Sequence, residues 1–385
     1  MIGLVFLATP AWAWWGHPSL MPAILAGLPA DTQLKLQTRF SAPCDEEMRK
    51  SYESLKKELW LNPASQPVSF FKEAVDCTAN PNISAMDILR GPFTDDPDQG
   101  MDRDLPDEFD PSNDRQWIGG KTGPASGQFR HIYFGGWKFR NLIATIQLPK
   151  HAMGTAPERA QEMAERASNF LKPLAALLSA IPQADFVDQA RDRAWGWRTL
   201  AWALHYIQDL AQPFHAVQIP SRRMIPMSAW FTFPPDHLLD HFVSETNRVV
   251  TNYHWAYEGY IRLRVEQANS PFADCLSAPE KHATARIPAD ATPREIALAI
   301  AAASVELGPE VGDAEIEFFG TRLRDDRTVV LPSFKGAPDY KDYATRADLV
   351  APRDRLDRVS CQALANAALG TRRLIEWLME TAGTR

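Results

Sequence analysis

Apolar residues recur at helical spacing along much of the chain, and this pattern predicts a mainly α-helical protein. The clearest example is segment 188–211, whose apolar positions include Trp195, Leu200 and Leu204. The same periodicity predicts five further helices, at 17–28, 156–181, 238–260, 293–306 and 359–379. Alternating strand patterns are nearly absent, and the best of them, at 328–331, is short.

Segments 95–114, 119–127 and 320–343 read as loops because Asp, Pro and Gly interrupt any periodicity there. We find no internal repeat and no linker that would divide the chain. With 385 residues, of which 45% are hydrophobic, the chain can bury a large core. We therefore predict one helical domain over 12–385.

Composition narrows the classes of function. The formal net charge of −7 argues against a protein that holds nucleic acid mainly through positive charge. It does not exclude a nuclease that binds phosphate through metal ions. Twelve Trp and thirty Pro residues favour a compact, loop-rich fold over a coiled coil or a disordered chain.

The N-terminal sequence MIGLVFLATPAWA is a short apolar run followed by small residues, as in a secretory signal peptide. We expect a signal peptide at 1–11, with 1–13 as the alternative, and a secreted or periplasmic protein. The other interpretation of this run is a buried N-terminal strand. Neither it nor any later stretch reaches eighteen uninterrupted apolar residues, the length that predicts a membrane span.

In an oxidising compartment, four cysteines predict up to two disulfides with three alternative connectivities. Cys44 with Cys77 is the shortest local closure, and Cys275 with Cys361 would then fasten the C-terminal helix. The sequence does not choose among the connectivities. No C-x-x-C pair or zinc-finger spacing is present.

Two imidazole–carboxylate pairs lie on predicted helices. His205 and Asp209 are four residues apart, and His254 and Glu258 repeat that spacing. Residues four apart share one face of a helix, so each pair can bind one metal ion. A further histidine, His215, follows the first pair just after a proline that ends its helix. Together these residues predict a metal site.

Imidazole and carboxylate ligands together favour Zn²⁺, whereas sites made only of oxygen favour Ca²⁺ or Mg²⁺. We therefore expect zinc as the cofactor. The alternative is that these histidines are hydrogen-bonded core residues. His241 and Glu245 also have clamp spacing and are the alternative to His254 and Glu258.

The order of these residues resembles that of the zinc-dependent phospholipase C and S1/P1 nuclease superfamily. The matching positions are His205, Asp209, Gln212-Pro213, His215 and then His254-x-x-Tyr257-Glu258. The resemblance implies a secreted, mainly α-helical enzyme with three zinc ions in one cleft. It rests on nine ligand positions between residues 12 and 258, and the C-terminal third matches nothing specific.

The resemblance also implies ligands nearer the N-terminus. In this superfamily, the amino group and carbonyl oxygen of a mature N-terminal Trp chelate one zinc ion. Trp12 begins a W-x4-H segment that ends at His17 and matches this feature, with Trp14 as the alternative start. His131 lies in Arg-His-Ile-Tyr, which resembles the H-[FI]-Y segment of the superfamily.

A further ligand is implied in a loop that begins with glycine, and Gly-Pro-Phe-Thr-Asp-Asp-Pro resembles that G-x4-D pattern. Asp96 fits best and Asp95 is the alternative. The implied zinc sites are Asp96 with His131, His205 and Asp209; His215 with His254 and Glu258; and Trp12 with His17, bridged by Asp209. Neighbouring zinc ions lower the pKa of a shared water. The implied nucleophile is therefore zinc-bound hydroxide, with Asp96 as the catalytic group that orients or deprotonates it.

Three classes of function remain open: a phospholipase C, a nuclease for single-stranded DNA or RNA, and a phosphomonoesterase or inactive descendant. Gln-Pro-Phe-His-Ala at 212–216 and the glutamate at Glu258 favour phospholipase C, whereas the W-x4-H start favours a nuclease. The complete ligand set argues against an inactive protein. We predict a monomeric, secreted phospholipase C-like phosphodiesterase with a phospholipid substrate and no stable nucleic-acid partner.

Segment 221–235 bears on the substrate because it places Arg222 and Arg223 among Met, Ile, Trp and Phe residues. Interfacial aromatics and paired arginines favour peripheral contact with a membrane. The alternatives are that these aromatics pack into the core or stack on nucleic-acid bases.

Overall fold

The protein is described from a computed structural model, which covers residues 17–41, 82–90, 131–133, 156–172, 186–217, 219–230, 238–331 and 338–382. This part of the chain is mainly helical, as predicted. Its helices are α1 (His17–Ala26), α2 (Ala30–Gln37), α3 (Ala85–Arg90), α4 (Ala156–Leu171), α5 (Phe186–Ala211), α6 (Pro213–Ala216), α7 (Leu238–Val265), α8 (Ala273–Ser277), α9 (Pro293–Phe319), α10 (Arg322–Asp325), α11 (Tyr340–Thr345) and α12 (Val350–Thr381).

The central element is α5, which packs against α4, α9 and α12. From residue 194 to its end, every residue of α5 is buried. A helix that is apolar on only one face would leave the other in water, whereas α5 carries large apolar side chains on several faces, among them Trp195, Leu204 and Ile207. Polar groups on this helix therefore lie in the protein interior.

A short antiparallel sheet is a feature that the sequence did not predict. Strands β1 (Arg39–Ser41) and β2 (Asn82–Ser84) pair with Phe40 opposite Ile83. Three-residue strands are too short for alternation to be recognised in the sequence.

Segment 328–331, which has the best strand pattern in the sequence, does not form a strand. Thr328 lies in a turn in which its backbone N–H and hydroxyl both donate to the carboxylate of Asp326. The following backbone is bound by Asn252 of α7, which donates to the Val329 carbonyl at 2.9 Å and accepts from Leu331 N at 2.9 Å. One buried amide side chain thus replaces the neighbouring strand that this apolar segment would otherwise need.

Several other boundaries differ from the predicted ones; for example, the helix predicted at 359–379 is α12, which begins at Val350. The segment predicted as a loop at 320–343 contains α10 and the start of α11, and α9 continues to Phe319 although Pro309 lies inside it. The start of α9 has strong local signals, since Thr292 and Glu295 form a capping box around Pro293. Apolar residues beyond the proline are buried and extend the same packed face, which explains why the helix does not end there.

Cys275 of α8 and Cys361 of α12 form a disulfide with a Cα–Cα distance of 5.5 Å. This is the second of the two pairs considered from the sequence, and it does fasten the C-terminal helix. Cys44 and Cys77 lie outside the described residues. So does the signal peptide predicted at 1–11, and the predicted extent of the domain stays a prediction.

Candidate metal centre

His205 and Asp209 lie one turn apart near the end of α5 and are both fully buried. His205 Nε2 is 3.1 Å from Asp209 Oδ2. The four-residue spacing therefore brings the two side chains together as the sequence predicted. Because α5 is enclosed on all sides, this pair is in the interior rather than on a surface groove of the helix.

The chain reverses direction directly after α5 and brings His215 back towards the same place. Gln212 caps the short helix α6, its side-chain oxygen accepting from Phe214 N at 2.5 Å, and Pro213 occupies the first position of that helix. His215 Nδ1 then lies 2.9 Å from the backbone carbonyl of His131. A carbonyl can only accept, so His215 carries its proton on Nδ1 and presents Nε2 as a lone pair.

The short segment that contains His131 makes a second hydrogen bond with α6, in which Tyr133 N donates to the carbonyl of His215 at 2.8 Å. His131 Nδ1 is 2.5 Å from Asp209 Oδ2 and 3.1 Å from His205 Nε2. This segment thus adds a third imidazole to the carboxylate of Asp209.

His17, at the start of α1, adds a fourth. Its Nε2 atom is 3.2 Å from Asp209 Oδ1, and its ring lies 3.9 Å from that of His205, centroid to centroid. His17, His205 and Asp209 each offer one ligand atom, and these atoms all lie within 4.8 Å of one another. We call these three residues the Asp209 group.

A second set of ligand atoms adjoins the first. His254 and Glu258 share one face of α7, with His254 Nε2 at 2.8 Å from Glu258 Oε1 and 3.2 Å from His215 Nε2. His215, His254 and Glu258 also offer three atoms within 4.8 Å of one another, and we call them the Glu258 group. The side-chain nitrogen of Gln212 donates to Glu258 Oε1 at 3.3 Å.

The alternative pair on α7 does not join either group. His241 Nε2 lies 2.8 Å from the carbonyl of Ser228, and Glu245 makes ion pairs with Arg248 and Arg327 at 3.3 Å each. Of the two pairs with identical spacing, the structure thus brings only His254 and Glu258 to the other predicted ligands.

Burial keeps the imidazoles of His205 and His215 neutral. It lowers the pKa of His205 to about 4 and that of His215 to about 3. Burial alone would raise the pKa of Asp209, but the neighbouring His205, His131 and His215 hold it well below its usual range. At neutral pH, the rings of His205 and His215 are thus neutral beside the ionised carboxylate of Asp209.

The donor set fits a cation. Among the described residues, His17 Nε2, Asp209 Oδ1 and Glu258 Oε2 are buried and have no hydrogen-bond partner. His17 Nδ1 lies 2.8 Å from the side-chain oxygen of Gln208, which only accepts, so the proton of His17 is on Nδ1. In the neutral ring, Nε2 then directs a lone pair at a carboxylate oxygen 3.2 Å away. Two buried acceptors that face each other without a proton cost free energy unless a cation binds both.

Seven of the nine predicted ligands are in the described part of the chain, and all seven converge there: His17, His131, His205, Asp209, His215, His254 and Glu258. Trp12 and Asp96, with their alternatives Trp14 and Asp95, lie outside the described residues. The implied distribution of three zinc ions stays a prediction. The Asp209 group places His17 beside His205, and the Glu258 group consists of the three side chains of the second implied site.

Sequence reasoning missed Gln208, and it noted Gln212 only as part of a motif. Both amides contact ligands, Gln208 through His17 and Gln212 through Glu258. Their positions beside Asp209 and before Pro213 were visible in the sequence, but an amide among helical apolar residues is more often a core residue bonded to backbone.

Segment 221–235 begins with the 3₁₀ turns Arg222–Met224 and Met227–Trp230. Met224 is buried, as in the packing alternative, whereas the Met227 side chain is 70% exposed. Arg222 and Arg223 are exposed, and Arg223 pairs with Glu317 at 3.3 Å. The aromatic residues beyond position 230 lie outside the described part of the chain. No helix within the described ranges is both long and apolar enough to cross a membrane.

Comparisons with known proteins identified no matching family model, no matching curated protein and no matching solved structure.

Proposed function

We propose that the protein is a zinc-dependent phosphodiesterase of the phospholipase C and S1/P1 nuclease type. The observation that supports this best is the convergence of five imidazoles and two carboxylates from α1, α5, α6, α7 and the His131 segment in the protein interior. A structural core has no need of so many ligand-type side chains with their lone pairs directed at one another. The order of these ligands in the chain is the order in the superfamily.

Zinc is the proposed metal because the donors are mainly imidazole with a minority of carboxylate. The Asp209 group and the Glu258 group would each hold an ion, and Trp12 and Asp96 are proposed to complete a site of three. Asp209 has both oxygens directed at imidazoles, Oδ1 at His17 and Oδ2 at His131 and His205, and is the proposed bridge.

Bound zinc would supply Lewis acidity, withdrawing charge from phosphoryl oxygens and making water a stronger acid. The protein's own groups do the positioning. The carbonyl of His131 fixes the His215 ring, and Gln212 holds the carboxylate of Glu258. Asp96 is proposed as the group that orients water and takes its proton during attack on phosphorus.

The proposed substrate class is phospholipid. Gln-Pro-Phe-His-Ala at 212–216 and the glutamate at Glu258 favour it, and the exposed Met227 beside Arg222 and Arg223 suits contact with an anionic membrane surface. A single-strand nuclease is the second candidate, and the W-x4-H segment that ends at His17 favours it.

The metal-dependent activity is tested by comparing two variants on the same helix. His254→Gln is expected to lose zinc and to lower hydrolysis by more than about 100-fold, because it removes a ligand of the Glu258 group. His241→Gln removes a histidine with the same spacing to a glutamate outside the centre, and is expected to keep both zinc and activity. Equal loss in the two variants, or full zinc content in His254→Gln, would contradict the proposal.

The substrate is tested with the processed protein on phosphatidylcholine vesicles and on single-stranded DNA side by side. Release of diacylglycerol with intact DNA supports the phospholipase, and the reverse result supports the nuclease. Sedimentation with anionic vesicles tests the surface: Met227→Ser should weaken binding, whereas Leu34→Ser, which changes a side chain 69% exposed on α2, should not.

A further inference from the structure

Gln208 occupies a position from which it can control one ligand of the proposed centre. It precedes Asp209 on α5, is fully buried, and its side chain reaches α1 and α12 at once. Its oxygen Oε1 lies 2.8 Å from His17 Nδ1. Its nitrogen Nε2 donates to Thr371 Oγ1 and to Met21 Sδ, each at 3.2 Å.

These partners fix which way the amide faces. A thioether sulfur has no proton to donate, so the atom that faces Met21 must be the amide nitrogen. The hydroxyl of Thr371 accepts the second proton of the same nitrogen. The amide oxygen is then left facing His17, where it can only accept a hydrogen bond, and the proton of the imidazole must lie on Nδ1.

This arrangement requires α12 to pack closely against α5. Gly370 precedes Thr371, and a Cβ atom built at Gly370 would lie 2.6 Å from a methyl carbon of Ile207. A residue with a side chain at position 370 would therefore push α12 away from α5. The glycine allows the Thr371 hydroxyl to reach an amide on the neighbouring helix.

We propose that Gln208, held by Thr371 and Met21, is a positioning residue that keeps His17 in the Nδ1–H tautomer and so keeps its Nε2 lone pair directed at the metal. The tautomer itself follows from the hydrogen bonds and is independent of any metal; its effect on zinc rests on the proposed function. Partners of this kind orient metal-ligating histidines, and their loss commonly weakens metal affinity about 10- to 100-fold.

The test reads the tautomer directly. In full-length protein freed of metal by a chelator, the two ring ¹⁵N chemical shifts of His17 are measured at about pH 8, above the ordinary imidazole pKa. Protonated and unprotonated ring nitrogens resonate in separate ranges, and His17→Asn assigns the signals. Wild type is expected to carry the proton on Nδ1, and Gln208→Met, which keeps the volume but removes the acceptor, is expected to give a mixture of tautomers.

Three further variants separate positioning from general damage. Gln208→Glu restores an acceptor and should restore the Nδ1–H tautomer. Thr371→Val frees the amide to flip and should shift the tautomer towards a mixture, whereas Thr199→Val, which removes a hydroxyl bonded only within α5, should not. The dissociation constant of zinc at the His17 site should rise about 10- to 100-fold in Gln208→Met and stay near the wild-type value in Thr199→Val.

The inference would be overturned if the Nδ1–H tautomer were unchanged in Gln208→Met, or if wild type carried the proton on Nε2. Both outcomes are independent of the enzymatic activity. A tautomer that depends on Gln208 in a protein that binds no zinc and hydrolyses no phosphodiester would support the positioning role and reject the proposed function. The two ideas can thus fail separately.

Discussion

Acidification should destabilise the metal-free protein through two buried histidines of the centre. His205 and His215 have folded-state pKa values of about 4 and about 3, below the ordinary 6.5, because burial disfavours their charged forms. When the chain unfolds, both rings meet water and bind protons below about pH 6.5. The stability they contribute is therefore complete above that pH and is lost as the pH falls towards the folded-state values.

The size of the effect follows from the two pKa values. At about pH 5, an unfolded histidine is almost fully protonated, whereas either buried ring is almost fully neutral. Linkage then gives a loss of about 2 kcal/mol for each residue between about pH 7 and about pH 5. Asp209 adds little in this interval, because its lowered pKa leaves it ionised in the folded state and its ordinary value is also below the range.

The measurement is urea unfolding at both pH values in the presence of a chelator, on wild type, His205→Gln and His215→Gln. The raised pKa of the buried Glu315 makes a contribution of opposite sign in the same interval. The quantity to compare is therefore the pH-dependent change in the free energy of unfolding of wild type minus that of each variant. We expect this difference to be about 2 kcal/mol for each site.

His282→Gln is the matched control, because His282 lies near the surface beside Asp274 and outside the centre. The reasoning would be refuted if the free energy of unfolding changed with pH by the same amount in wild type and in the two variants. It would mean that the rings of His205 and His215 are hydrated or already protonated in the folded protein.

Three other perturbations have defined outcomes. Asp209→Asn should abolish zinc binding at the sites that this carboxylate is proposed to bridge and leave only the ion of the Glu258 group, as measured by metal analysis. Glu315 is buried with neither carboxylate oxygen hydrogen-bonded, and burial holds its pKa well above the ordinary value. As the pH rises above about 5, the free energy of unfolding of wild type should therefore fall by about 1.4 kcal/mol per pH unit relative to Glu315→Gln, as measured by urea unfolding. Reduction of the Cys275–Cys361 disulfide, which closes a separation of 86 residues, should lower the free energy of unfolding by about 4 kcal/mol.

Helical periodicity predicted the long elements because each has one or more apolar faces that must be buried. It failed where the stabilising contact is remote in sequence. Segment 328–331 looks like a strand, yet its backbone is bound by Asn252 on α7, and no local pattern reports such a partner. The helix predicted at 293–306 ends too early, because packing on both sides of Pro309 extends α9 to Phe319.

The candidate ligands were predictable for a different reason. A metal needs particular donors, and four-residue spacing is a local signal of two donors on one helix face. That signal was equally strong at His241 and Glu245, where tertiary contacts divert both side chains to other partners. Residues that orient a ligand, such as Gln208, leave no pattern of their own, because their role is defined by partners 163 and 191 residues away in the chain.

These separations also imply an order of assembly during folding. In the Glu258 group, His215 and His254 are 39 residues apart, whereas His17 of the Asp209 group contacts Gln208 across 191 residues. Closing the longer loop costs more chain entropy and must wait for α1 to dock on α5. The Asp209 group is therefore expected to form only once α1 has docked, and any ion that it holds would be bound after that step.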